Sequence, residues 1–242
     1  MFIGIGTVIN VIAILLGTVT GKIAGKRFTE RTRNLLTDIL GIVTLISAAS
    51  ALISLWDTEF VSVLPNGGPI LVILAALILG GLLGSFLNLE MRLEHLGSSL
   101  KRRFDTGESS FVEGFVTASL IFVIGPLAIL GSISDGMSAG VEQLLLKSTL
   151  DFFASIAFAA ALGWGVAFSA LPVALYQGLW TLVGLALGSV LLDYQVVAMT
   201  ATGGVLLIGI GLKLLRIKDI AIGNLLPALA LAPIIAAITV NL

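Results

Sequence analysis

Cysteine is absent from the chain and His95 is its only histidine. Thiolate chemistry, disulfides and a histidine metal cage are therefore excluded before any motif is sought. What remains able to do chemistry is a set of carboxylates and amides embedded in apolar sequence. The carboxylates are Asp38, Glu113, Asp135, Asp151 and Asp219, and the amides are Asn10, Gln177 and Asn224. There is no H-E-x-x-H, G-x-S-x-G, P-loop or complete G-x-G-x-x-G. Hydrolysis by an aspartate pair would need Asp38 and Asp151, which are expected to enter from opposite faces. No enzymatic activity and no cofactor is expected.

An amide in hydrocarbon costs several kcal/mol if unpaired, so Asn10, Gln177 and Asn224 must bond across helices or line a polar pathway. Carboxylates inside a membrane are costly and functional by default. Most of them also have a structural reading. Glu113 follows Ser110 by three residues, and Asp151 follows Ser148 by three, which is the spacing of a capping box. Lys147 lies four residues before Asp151. Asp219 suits the cap of a last helix. The most unusual segment runs from Gly125-Pro126 through Gly131-Ser132 to Ser134-Asp135-Gly136. Proline removes a backbone donor and clashes with the preceding turn, so Pro126 is expected to break its helix. A broken helix frees carbonyls and dipole ends, from which transporters build ion and substrate sites.

The elements that must position these groups follow from composition. Of 242 residues, 57% are hydrophobic and 11% charged, and the mean hydropathy is +1.13. Soluble domains carry about a quarter charged residues, so the solvent of most of this chain is lipid. Apolar runs lie at 2–21, 34–56, 69–88, 111–133, 148–168, 172–192, 196–215 and 220–240, each long enough for a spanning helix. The fifth and sixth are divided before Pro172, which suits a first helical turn. The first run lacks a basic leader and is read as a retained helix, not a removed signal. Asn10 would then lie about 12 Å into the first span. Twelve of the thirteen Lys and Arg fall in three loops: Lys22 to Arg33, Arg92 to Arg103, and Lys213 to Lys218. Lys147 is the exception. With eight spans those loops share one face, which the positive-inside rule makes cytoplasmic, with both termini outside. The location expected is a bacterial-type inner membrane.

The expected organisation is a single polytopic all-α domain over 1–242, with an amphipathic cytoplasmic helix at about 89–104. That helix repeats apolar residues at three and four, and ends in Lys101-Arg102-Arg103, suited to lipid head groups. Gly17, Gly21 and Gly25 form a ridge of small residues, as do Gly80/Gly84 and Gly184/Gly188. Such ridges pack helices within a chain or form the seam of a homodimer. A net charge of −1 points to no nucleic-acid partner.

Several stretches carry a family resemblance. They are Glu113-Gly114-Phe115-Val116-Thr117-Ala118-Ser119-Leu120, Gly125-Pro126-Leu127-Ala128-Ile129-Leu130-Gly131-Ser132, Asp135-Gly136, and Lys147-Ser148 with Asp151. Phe168-Ser169-Ala170-Leu171, Tyr176-Gln177-Gly178, Gly203-Gly204 through Gly209-Ile210-Gly211, and Asn224-Leu225-Leu226-Pro227-Ala228 extend it over the whole chain. Together they resemble the YqgA/YdfK-type bacterial membrane family, the domain of unknown function DUF-554. The resemblance implies a membrane protein for which transport is commonly supposed, and it supplies no substrate or catalytic residues.

The residues themselves support two functions. One is a secondary transporter or channel for a small solute or ion, with Asn10, Pro126, Ser132, Asp135, Ser148, Asp151, Gln177 and Asn224 along its pathway. The fourth and fifth spans are then expected to place Ser132, Asp135, Ser148 and Asp151 side by side, a set that suits Na⁺ or a proton better than an anion. The other is a non-transporting scaffold or lipid-interacting protein, in which the same polar groups only join helices.

Overall fold

Backbone amides in hydrocarbon must find partners within the chain, and the apolar runs accordingly fold as helices. The computed structural model describes residues 2–65, 67–104, 108–188 and 191–241. In chain order the helices are α1 Ile5–Gly25, α2 Glu30–Leu52, α3 Thr58–Val63, α4 Gly68–Leu87, α5 Leu89–Phe104, α6 Phe111–Val123, α7 Pro126–Gly136, α8 Glu142–Leu162, α9 Gly165–Phe168, α10 Ala170–Leu187, α11 Asp193–Leu214 and α12 Pro227–Val240. Two short 3-10 turns, Ile53–Trp56 and Ile222–Leu225, complete the described helical segments. Seven of the spans are continuous or nearly so, and α6 with α7 forms an eighth, bent by 63°. Large apolar side chains such as Ile46, Ile70, Phe86, Phe153 and Leu175 point outward, the pattern of a chain whose solvent is lipid.

The chain gathers into two compact units, residues 1–40 with 94–190, and 41–93 with 191–242. The boundary falls inside α2 and α5. In the first unit, α1 and α8 run parallel. Gly6 meets Leu144, Gly17 meets Phe152 and Ser155, Gly21 meets Ile156, and Gly25 meets Ala160. The glycine ridge of α1 is thus covered by α8 of the same chain, the intramolecular reading of that ridge.

The two ends of α1 also settle what the bent pair does. At its C-terminal end Lys22 pairs with Glu108, and Ser110, just before α6, donates to the Leu162 carbonyl. At its N-terminal end Gly4 and Gly6 donate to Asp135, in the last turn of α7. From Gly6 to Lys22 α1 rises about 24 Å. Helices α6 and α7 therefore carry the chain from one end of the unit to the other, as a broken span and not a re-entrant loop.

In the second unit α4 lies antiparallel to the last segment. Gly80 abuts the Ala228 backbone, and a Cβ at Gly84 would fall inside the Asn224 carbonyl. Phe60, Val72, Ala76, Ala198, Ala228 and Ala232 form its core.

Four sequence expectations are corrected. Helix α8 begins at Glu142, not at 148, because pairing of Lys147 with Asp151 admits polar residues to an interior that hydropathy alone would refuse. The fifth and sixth spans part at Gly163, whose φ of 88° ends α8, and not before Pro172. Ser110 makes no cap to α6, its hydroxyl being used by Leu162. Asp219 does not cap the last helix; it is exposed and pairs with Lys213 at 3.0 Å.

Candidate functional site

Helix α8 places Lys147 and Asp151 four residues apart and so on one face. Asp151 is nine residues from the helix start, about 14 Å along the axis. Lys147 Nζ donates to Asp151 Oδ2 at 2.6 Å, and the two side chains are 9% and 8% exposed. Asn10 is fully buried on α1 and donates from Nδ2 to the same oxygen at 3.0 Å. Its reach depends on Gly17 and Gly21, which let the backbones of α1 and α8 approach. Helix α1 starts at Ile5, so Asn10 lies about 8 Å in, shallower than expected.

This pair is poorly explained as a stabilising device. With Lys preceding Asp, its orientation is the less favourable one on a helix. Desolvation of two charges offsets most of their attraction, and an apolar pair of equal volume typically does as well or better. An ionisable pair inside the membrane is accordingly a functional candidate.

The helix break lies beside the pair. Ile124 turns extended and Gly125 adopts φ 156° and ψ 145°, open to glycine alone, before Pro126 starts α7. Phe122, three residues before Gly125, holds its ring 5.9 Å from Lys147 Nζ and 6.3 Å from the ring of Phe158.

Asp135 is brought to the neighbouring turn of α1. Its two oxygens accept from Gly4 N–H at 3.2 Å and Gly6 N–H at 3.0 Å, where the helix dipole favours an anion. It also lines an open pocket of about 320 Å³ with Phe2, Ser138, Gly140 and Glu142. That mouth holds two carboxylates and no basic side chain among its lining residues, which concentrates cations.

The remaining predicted residues divide. Ser132 and Ser148 are buried but spend their hydroxyls on the Ala128 and Leu144 carbonyls of their own helices, each at 2.6 Å. Ser148 sits two turns inside α8, so the capping reading of Ser148 with Asp151 falls. Gln177 is fully buried on α10, with no partner for either amide atom. Asn10 Oδ1, Thr7 Oγ1 and Ser155 Oγ are likewise unpartnered. Asn224 belongs to the other unit, where its Oδ1 accepts from Glu90 N–H at 2.9 Å. The expected side-by-side set of Ser132, Asp135, Ser148 and Asp151 is therefore realised only in part. Asp135 and Asp151 meet successive turns of α1.

The family model described as a protein of unknown function, DUF554, matches residues 5–237. The chain belongs to this family. An uncharacterized membrane protein of Bacillus subtilis, YdfK, is 31% identical over 231 residues, covering 95% of this chain and 94% of that protein. An uncharacterized protein of Escherichia coli K12, YqgA, is 30% identical over 246 residues, covering 97% of each. No solved structure matches. The DUF554 match takes in Thr7, Asn10, Asp135, Lys147, Asp151, Ser155 and Gln177.

Sequence reasoning about this DUF554 chain noted the spacing of Lys147 to Asp151 but left Lys147 out of the pathway residues, treating it as an exception to the charge pattern. That spacing, inside an apolar run, was the signal that places it in the site. Thr7 and Ser155 carried no comparable signal.

Proposed function

We propose that this membrane protein is a secondary transporter or channel for a small solute or ion, coupled to a cation, in a bacterial-type inner membrane. Its basic loops would face the cytoplasm and its termini the outside, by the positive-inside rule. The observation that carries the reading is the buried Lys147–Asp151–Asn10 cluster beside a broken span. A charge pair of this kind can exist in two states of partnership, and the break offers a joint about which helices rearrange. The acidic mouth formed by Asp135 and Glu142 supports a cation as the coupling species. The proposed activity is transport and not enzymatic chemistry.

Reconstitution tests it. Full-length protein in liposomes loaded with a pH-sensitive dye is given inward gradients of protons, Na⁺ and small organic cations. Cation-dependent flux is expected from the wild type and lost in Asp151→Asn, with helix content and elution volume unchanged. Absence of flux in the wild type, or an unchanged response in the variant, favours the scaffold reading. That reading has one observation behind it, the spending of the Ser132 and Ser148 hydroxyls on their own helices.

A further inference from the structure

Lys147 presents a primary ammonium, inside the membrane, to a set of groups suited to hold one. A carboxylate oxygen accepts at 2.6 Å, and the Phe122 ring offers its face at 5.9 Å, the two elements by which ammonium groups are recognised. More acceptors are present than Lys147 uses. Asn10 commits Nδ2 to Asp151 and leaves Oδ1 unpartnered on the same planar carbon, within one amide's width of the carboxylate. Gln177 Oε1 is unpartnered and fully buried.

The level of Gln177 follows from helix packing. Gly136 abuts the Thr181 carbonyl on α10, and its neighbour Asp135 holds Gly6 on α1. Gln177 and Asn10 each lie four residues further in, about 6 Å, on helices that pack against one another.

We propose that Asp151 is the binding site for the ammonium group of a small cationic amine, and that the ligand enters in exchange for the proton of Lys147. This rests on the transport reading above and names its substrate class. In the exchange, the incoming R–NH₃⁺ forms its hydrogen bond to Asp151 Oδ2 as the bond from Lys147 Nζ breaks. Lys147 releases H⁺ toward the pocket of Asp135 and Glu142 and remains as a neutral amine. The buried site is neutral before and after, which the cost of a net charge in hydrocarbon requires. A divalent cation would leave it charged. Asn10 Oδ1 and Gln177 Oε1 accept the ligand's remaining two N–H groups, which explains why these two buried amide oxygens stand unused. The other titratable groups on the helices packed around Lys147 are Lys22 on α1, Glu113 on α6, Asp135 on α7, Glu142 on α8 itself and Tyr176 on α10. None of them pairs with Lys147, whose bonded partner is Asp151.

The test is equilibrium binding of radiolabelled methylammonium to the full-length protein in nanodiscs between pH 6 and 9, with proton release followed in weak buffer. Linkage to one released proton requires the apparent affinity to rise about tenfold per pH unit. One proton should appear per ligand bound, and tetramethylammonium, without N–H groups, and Na⁺ should bind at least about tenfold more weakly. Asp151→Asn should abolish binding. Lys147→Arg keeps a charge against Asp151 but cannot give up a proton, so binding should be lost at every pH while the fold persists. Lys147→Met removes the competitor and should bind tightly without pH dependence. If Lys147→Met does not fold, the arginine variant still decides. Binding that is pH-independent in the wild type, equal for Na⁺, undiminished in Lys147→Arg, or absent overturns the proposal. Since binding is read without flux, exchange without transport would sink only the transport reading, and flux without methylammonium binding only this one.

Discussion

Replacing Gly21 by alanine asks whether the α1–α8 seam is set by backbone contact. A Cβ at Gly21 would lie 2.9 Å from the carbonyl carbon of Ile156 and 3.0 Å from its Cα. Carbon atoms at rest sit about 3.5–4.0 Å apart. The neighbour is backbone in the middle of a helix and cannot rotate aside, so α1 must withdraw by about 0.5–1 Å. A gap of that size forfeits about a quarter to a half of the attraction across the seam. Overpacking of this kind costs about 1–3 kcal/mol, and alanine in a helix interior offsets about 0.5–1 of it, leaving a net loss of about 0.5–2 kcal/mol. Gly178 on α10 is the internal control, because nothing lies within 4 Å of a Cβ there. Gly178→Ala should therefore stabilise by about 0.5–1 kcal/mol, the same substitution with the opposite sign. Gly17 faces Ser155 Cβ at 2.8 Å in the same way. One displacement of α1 relieves both sites, so Gly17→Ala with Gly21→Ala should cost less than the two single losses added. Reversible unfolding in mixed micelles, with oligomeric state followed by light scattering, reads all four variants. A neutral Gly21→Ala would refute the tight seam. Loss of a dimer with unchanged unfolding would instead assign the ridge to the homodimer seam that such glycines also suit.

Two further outcomes follow from the same geometry. Removing one partner of the Lys147–Asp151 pair strands a buried charge and should cost about 3–5 kcal/mol, whereas Lys147→Met with Asp151→Leu should unfold within about 1 kcal/mol of the wild type yet show no cation-dependent flux; a double variant as unstable as the singles would make the pair structural. Because the chain has no cysteine, single-cysteine variants report topology directly: an impermeant maleimide should label Asn241→Cys on intact cells and Lys26→Cys or Arg102→Cys only after permeabilisation, and the reverse pattern would invert the proposed orientation.

How far the sequence was legible depended on which signals are local. Span number and the break at Pro126 were readable because hydropathy, proline and the distribution of Lys and Arg are properties of short segments. The start of α8 was misplaced because Lys147 and Asp151 count as two charges in a hydropathy window, while in the fold they neutralise each other. Capping was overread for the same reason. Ser110 has the right spacing to Glu113, but a carbonyl 52 residues away takes its hydroxyl. In the site, Asn10 and Asp151 are 141 residues apart in sequence, and only the parallel register of α1 on α8 joins them. The glycines that allow this register were visible; the helix they would face was not.

The basic ends of the helices turn out to do two things, and the division is physical. In the first unit Lys22, in the last turn of α1, pairs with Glu108, whose other oxygen accepts from Trp164 N–H beside Gly163. In the second, Lys213, in the last turn of α11, pairs with Glu90, whose other oxygen accepts from Gly223 N–H. Each lysine sits where helix carbonyls favour a cation, and each glutamate uses its second oxygen to hold the start of a later segment. A Cβ at Gly163 or at Gly223 would displace that carboxylate from its N–H partner, and at Gly163 the φ of 88° favours glycine as well. Lys26, Arg27, Arg31, Arg102 and Arg103 are exposed by contrast, and their charge is available to anionic head groups. Lysines that close a helix end and basic residues left exposed thus come from the same loops, which is why a rule that counts charges says nothing of the clasp.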